Sequence, residues 1–298
     1  MKTTALSNSK SNFELISGNS NISEWVLNNH DYVLEKFRQH GAILFRGFDG
    51  GLDSFTHFTD LFCNGYMYNT VPNENSRQDV ARQLKIQTVD LSGDYFPLHA
   101  ERSQTPFQAD IAFFHCRQAP ATGGETTFCD GALLVEKISD TLRDILSKRH
   151  FRYLGTESLE PLMNFLDISD ESQILRTLEK KSLDHIYFIH GGHIYINYVV
   201  PILRKSKFSD KLSFANFLLF SRYFKKQKYF PTFAVGTEIP QSICDEINSV
   251  AGDLTVEVHW QDNDYLMLDN TRVMHGRNEA HSGMPREIWS RFGYANFE

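Results

Sequence analysis

Cysteine is scarce in this 298-residue chain. The four present, Cys63, Cys116, Cys129 and Cys244, show no CxxC spacing, which excludes a disulfide framework and a cysteine-rich zinc module. Cys116 and Cys129 stand in apolar, strand-like runs, where a reduced, buried thiol is expected. No apolar run approaches the ~20 residues of a membrane helix, so no membrane association is expected. The first residues hold no apolar stretch long enough for a signal peptide; 1–12 reads as a polar tail, and the expected location is cytoplasmic. Positive charge is also short, with 30 Lys and Arg against 37 Asp and Glu and a net charge of −7. With no recognition motif present, nucleic acid is not an expected partner. Internal repeats are absent, as is any linker that would divide the chain.

What the chain has is 41% hydrophobic residues over a length that can bury a large core in a single domain. Positions 22–40 space Val26, Leu27, Val33, Leu34 and Phe37 as a helix does, with Gly41 as its stop. A short apolar strand follows at 41–48, and 52–62 returns to a helical pattern. Residues 64–94 are polar and turn-rich, with one alternating strand at 84–89. The run Leu133, Leu134, Ile138, Leu142, Ile145, Leu146 predicts one amphipathic helix that stops near Arg149. Between 154 and 236 the pattern is less regular, with strands at 185–189 and 193–200 and a Phe-rich helical stretch at 211–224. A short helix at 239–250, running to Gly252, and strands at 254–260, 265–268 and 287–294 close the chain.

Two stretches carry chemistry. In FPLHAERSQTPFQADIAFFHCRQAPATGGETTFCD, positions 96–130, His99 and Glu101 lie two apart, and on an extended backbone such side chains project to the same side. They can therefore reach one point, and that point can be a metal. Positions 264–292, DYLMLDNTRVMHGRNEAHSGMPREIWSRF, offer a distant third ligand in His275, followed by Gly276. Two imidazoles and one carboxylate with open coordination positions form the arrangement that selects non-haem Fe(II) in oxygenases. Glu101, flanked by apolar residues, would be costly to bury unpaired, and a metal removes that cost.

The HxE pair, the GGET turn, the DN-x-R-x-x-H-G-R string and the arginine after it, in this order, resemble the Fe(II)/2-oxoglutarate dioxygenases of the taurine dioxygenase and clavaminate synthase-like superfamily. The resemblance implies a mainly β protein with flanking helices, a double-stranded β-helix of the jelly-roll type, as a single domain over 1–298. In it 154–236 is a lid-like insert without a recognisable motif, and 64–94 covers the mouth of the site. It implies His99, Glu101 and His275 as iron ligands, with 2-oxoglutarate and dioxygen as cosubstrates. A planar guanidinium is the best match for the far carboxylate of 2-oxoglutarate. Arg286, eleven positions after His275, stands where the family puts that arginine, with the Thr126 hydroxyl beside it. Arg291 is the candidate for an anionic group of the substrate, although a gap of five from Arg286, where the family often has four, turns it to the other face unless a bulge intervenes. Arg277 is expected to be structural, and His115 and His281 to be a strand and a loop histidine.

Because Glu101 is present, the iron site keeps its carboxylate, and hydroxylation or desaturation with release of succinate and carbon dioxide is the implied outcome, rather than halogenation. A Glu in the place of the Asp of taurine dioxygenase-like members resembles the clavaminate synthase and amino-acid hydroxylase branch, and suggests a small, amino-acid-like substrate in specialised metabolite biosynthesis. Two alternatives use the same ligands. A zinc hydrolase would leave Arg286 and Thr126 without a role, and a non-catalytic jelly-roll binding protein would have no need of an intact ligand set. Within 201–230, eight basic residues stand against the single acid Asp210. They form either the solvated face of a lid helix or a docking surface for an acidic carrier protein. The number of subunits is left open, with a homo-oligomer among the expectations.

Overall fold

The computed structural model describes residues 3–4, 13–68, 77–166, 168–183, 187–280 and 285–297. The expectations for His281 and for most of the tail 1–12 lie outside them.

Two facing sheets make the frame. The small one runs in the order Val256–Val258, Thr126–Asp130, Val273–Arg277, Phe96–His99, antiparallel throughout. The large one is centred on Tyr265–Asp269, Ile111–Gln118 and Glu287–Ala295, with Ala42–Arg46 and Glu14–Ser17 on one side and Ile86–Thr88 and Asp79–Ala81 on the other. This is the expected jelly roll with flanking helices.

The apolar run IAFF becomes intelligible here, because both faces of the large sheet are covered. Ala112, Phe114 and Cys116 turn inward to meet Phe128, Cys129 and Met274 of the small sheet. Ile111 and Phe113 turn outward and pack with Phe37, Phe55 and Phe58 of the helices and with Phe62 in the turn after them. Each of these fully buried phenylalanines contributes roughly 1.5–3 kcal/mol by leaving water.

Helix positions agree with the sequence reading more closely than helix limits do. The segment 22–40 is two helices, Ile22–Asn28 and His30–His40, and the second ends on Gly41 at φ 71°, the left-handed conformation that glycine adopts at little cost. The single helix expected over 133–149 is also two, Gly131–Lys137 and Asp140–Ser147. Ser139 opens the second by accepting a hydrogen bond from the Leu142 amide, a cap that outweighs the continuing apolar spacing.

The segment without a motif builds a second, four-stranded sheet. His150–Ser158, a strand where no element was expected, pairs along its whole length with His193–Pro201, and Tyr187–His190 and Thr232–Phe233 complete the sheet. The expected helix over 211–224 is mostly absent: Leu212–Ser213 is a short strand, and the helical part is a π-helical turn at Phe220–Phe224. The closing helix, Gln241–Leu254, passes through Gly252 without stopping. No helix among the described residues is long and apolar enough to cross a membrane.

Candidate active site

His99 ends its strand and lies directly across the ladder from His275, with the two rings 4.7 Å apart. Gly276 permits this pairing, because a Cβ at that position would collide with the Phe96 carbonyl. Glu101 lies just beyond the strand, in a turn where Arg102 has φ 57°, so the extended-backbone reading holds only as far as His99. What aims Glu101 is Asn270. Its Oδ1 accepts from the Glu101 amide at 2.8 Å, and its Nδ2 donates to the Glu101 and Ala109 carbonyls at 3.0 and 2.9 Å. Around it, Arg272 pairs with Asp130 at 2.5 Å while fully buried, and Asp269 accepts from Ser206 and Thr271. The DN-x-R string is thus a set of fasteners for the loop that carries the carboxylate.

One ligand atom from each of His99, Glu101 and His275 lies within 4.8 Å of the others. His99 Nδ1 is 2.9 Å from the Pro97 carbonyl and donates to it, which leaves the lone pair on Nε2, 3.9 Å from Glu101 Oε2. Among the described residues no hydrogen bond reaches the buried Nδ1 of His275. Burial holds both imidazoles below the ordinary histidine range; the Glu101 charge opposes this at His99, and the neighbouring His99 adds to it at His275. Both rings are therefore neutral near pH 7, the form that binds a metal. Two neutral imidazoles and a carboxylate of this spacing fit a ferrous ion.

The cluster opens into a cavity of about 350 Å³. Thr126, at the start of its strand, lines it and accepts from Trp260 Nε1 at 3.1 Å, which leaves the threonine proton for another acceptor. Arg286 lines it too, with Nε donating to the Gly124 carbonyl at 3.1 Å. Gly123 and Gly124, at φ 72° and 67°, bend the GGET turn so that this carbonyl meets the guanidinium, and a Cβ on Gly124 would press on Arg286 Nε at 3.1 Å. Among the described residues the partner of Arg286 is a carbonyl and not a carboxylate, and burial, with Arg277 nearby, lowers its pKa to about 10. The arginine remains charged, with the outer nitrogens of its fork unengaged among those residues.

Arg291 is not brought to the site. From Ile288 onward the strand alternates strictly, so Ile288 and Phe292 face inward while Trp289 and Arg291 face the helices. The Arg291 guanidinium bonds Thr59 Oγ1 at 2.5 Å, Asp60 at 2.7 Å and the Leu84 carbonyl at 2.9 Å, beneath the Tyr66 ring. The irregularity in register against Ile111–Gln118 falls earlier, between Glu287 and Ile288, and does not return Arg291 to the cavity. Arg277 is structural, as expected: it lies on the Phe96 ring and donates to the carbonyls of Asp90, Ser92 and Asp94. His115 is a core histidine, stacked on Tyr265 and using both nitrogens.

Three contributions were not read from the sequence. Phe217, Phe220 and Phe224 come from the segment without a motif and line the cavity; Phe220 lies 4.7 Å from the His99 ring. Arg77, within the segment expected over the mouth, points its guanidinium at Glu101, 3.8 Å away. Asn270 entered only as part of the DN-x-R-x-x-H-G-R string. Several of the basic residues of 201–230 have partners among the described residues. Arg222 and Lys228 meet Glu238, Lys207 meets Asp110, Lys205 meets Asp210, and Arg204 bonds Gln108 and the Ala215 carbonyl.

The taurine catabolism dioxygenase TauD, TfdA family matches residues 11–291. The dapdiamide synthesis protein DdaC of Enterobacter agglomerans is 24% identical over 301 residues, covering 88% of each chain. The 3-((Z)-2-isocyanoethenyl)-1H-indole synthase of Fischerella ambigua is 23% identical over 267 residues, covering 84% of this chain and 81% of its own. Among solved structures, AAD-2 in complex with Mn(II) and N-oxalylglycine shares the fold, with a TM-score of 0.63, 13% identity and coverage of 99% of this chain and 98% of that one.

Proposed function

Because the chain belongs to the TauD, TfdA family and so to the Fe(II)- and 2-oxoglutarate-dependent dioxygenases, we propose that His99, Glu101 and His275 hold the iron. In the same reading Arg286 and Thr126 hold the far carboxylate of 2-oxoglutarate. The observation that carries this is the meeting of the three ligand atoms within 4.8 Å at a cavity whose wall also bears an arginine without a carboxylate partner among the described residues. Bound iron and 2-oxoglutarate supply activation of dioxygen, oxidation of a C–H bond, and succinate and carbon dioxide as coproducts.

The chain's own residues bind, orient and exclude water. Asn270 fixes the backbone of Glu101 and limits where its carboxylate can go. Arg286 would make parallel, charge-assisted hydrogen bonds to one end of the cosubstrate, with the Thr126 proton donated to the same group. Phe217, Phe220 and Phe224 keep the region beside His99 apolar, which strengthens charge interactions inside it. The stretch 217–225 acts as the lid, the part of the proposed 154–236 insert that meets the substrate. A zinc hydrolase on the same ligands would leave Arg286 and Thr126 without work, and a non-catalytic binding protein would have no need of the intact ligand set.

The substrate we propose is a small, amino-acid-like molecule that is hydroxylated or desaturated in specialised metabolism. Support comes from relatives named for dapdiamide synthesis and for an isocyanide-bearing indole. Screening candidate amino acids for stimulated succinate release, with mass spectrometry of the products, tests it. Stimulation by an amino acid with a product heavier by one oxygen or lighter by two hydrogens is expected, and stimulation only by compounds of another class would overturn the substrate assignment.

A further inference from the structure

The cavity wall holds more positive charge than the proposed function uses. Four cationic side chains line it: Arg77, Lys225, Arg277 and Arg286. Arg277 is consumed by the carbonyls of the 90–94 loop, and Arg286 is assigned to 2-oxoglutarate. Lys225 lies over the Phe220 and Phe224 rings, its ammonium 5.8 and 5.4 Å from their centroids.

Arg77 is held differently. Its polar contacts among the described residues are long, 3.8 Å from Nη2 to Glu101 Oε2 and 3.4 Å from Nη1 to Ser290 Oγ, and its guanidinium carbon stands 5.9 Å from the Phe292 ring centroid. Its side chain is 21% exposed. Under the proposed function the negative charge of Glu101 belongs to the iron, so Arg77 becomes a mostly buried cation whose compensating charge is shared with a dication. Such a charge is costly unless a further anion meets it. The anion-binding role that the family resemblance offered to Arg291 is vacant as well, since that side chain is spent on Asp60, Thr59 and Leu84.

Resting on the proposed function, we infer that Arg77 binds a carboxylate of the organic substrate and that the body of that substrate lies on the aromatic wall of Phe217, Phe220 and Phe224. A planar fork suits a carboxylate, and two parallel hydrogen bonds fix the orientation of the molecule as well as its presence. The substrate class is then an apolar or aromatic carboxylic acid, with the carboxylate held next to the iron ligands.

The test uses a matched pair, 3-phenylpropionate and the neutral 3-phenylpropanamide. Each is titrated anaerobically into the protein loaded with Fe(II) and 2-oxoglutarate and followed by perturbation of the visible band of the chelate. The wild type should bind the acid roughly 10-fold or more tighter than the amide, the scale of a hydrogen bond to a charged group. Arg77→Gln should reduce that preference to less than about 2-fold, with Arg77→Lys between them, and neither should move the 2-oxoglutarate midpoint. Equal binding by the wild type, binding of neither compound, or an intact preference in Arg77→Gln would overturn the inference; so would a raised 2-oxoglutarate midpoint in that variant, which would assign Arg77 to the cosubstrate. Should Arg77→Gln fail to fold, the preference of the wild type still decides. If no band forms, the inference falls together with the function it rests on; if the band forms and the preference is missing, only Arg77 is wrong.

Discussion

The small sheet and the 150–236 segment build the same cavity by different means. The small sheet is four short strands in unbroken antiparallel order, and it carries His99, Thr126 and His275 at fixed positions in that ladder. The other segment has its own sheet, and among the described residues it lines the cavity through 217–225, where Phe220 and Phe224 stand on a π-helical turn. One region supplies donors whose placement is set by backbone hydrogen bonds; the other supplies apolar surface whose placement is set by packing. Chemistry that needs ligands within a few tenths of an ångström belongs on the first, and recognition that needs shape belongs on the second. The comparison can be broken by substitutions that ask each region to do the work of the other.

The largest expected effect is at the ladder itself. His275→Ala should cost more than the ~100-fold typical of residues that only support a ligand, measured as turnover with saturating iron. Arg286→Ala should raise the half-saturating 2-oxoglutarate concentration by about 10- to 100-fold, the range for losing hydrogen bonds to a charged group, read by titration of succinate formation. Asn270→Ala removes three buried hydrogen bonds at Glu101 and Ala109. It should lower iron affinity about 10-fold or more and stability by roughly 3 kcal/mol, read by metal competition and by urea denaturation. Arg291→Met tests the opposite face. Stability should fall by about 3 kcal/mol, since partners of a buried charge are left behind, while the 2-oxoglutarate midpoint stays where it was.

The smallest effect concerns acid. Burial lowers the pKa of His115 to about 4, below its unfolded value. A depressed folded pKa means that the unfolded chain binds the proton first, so stability is fully present above about pH 6.5 and is lost as pH falls toward 4. His115→Phe should remove on the order of 2 kcal/mol of that loss, seen as a flatter dependence of urea midpoint on pH between 6.5 and 4.

The legible parts were those in which residue type alone limits the environment. A carboxylate among apolar neighbours, a Gly-Gly turn and an imidazole beside a glycine, in that chain order, carried the resemblance from which the jelly roll and the meeting of His99, Glu101 and His275 were expected. Arg291 shows why alternation matters: from Ile288 onward strict alternation turns it outward, and the irregularity between Glu287 and Ile288 does not bring it back. Arg77 had no local sign, because its meaning depends on Glu101 and Ser290, which are distant in sequence. The aromatic wall was hidden for another reason. Phe217, Phe220 and Phe224 at spacings of three and four read equally well as a helix packed on a core, and only the neighbouring His99 ring marks them as the side of a cavity. Ser139 and Asn29, which end apolar runs early, were outvoted by periodicity although a serine before an aspartate is a starting signal for a helix.

At the centre of the proposed function is one ferrous ion held by three side chains from the two motif stretches. Anaerobic titration of Fe(II) into the protein with 2-oxoglutarate measures this directly through the weak visible charge-transfer band of the chelate. Saturation at one equivalent in the wild type and no band in His275→Ala is the predicted result; a band of undiminished strength in His275→Ala, or none in the wild type, contradicts it.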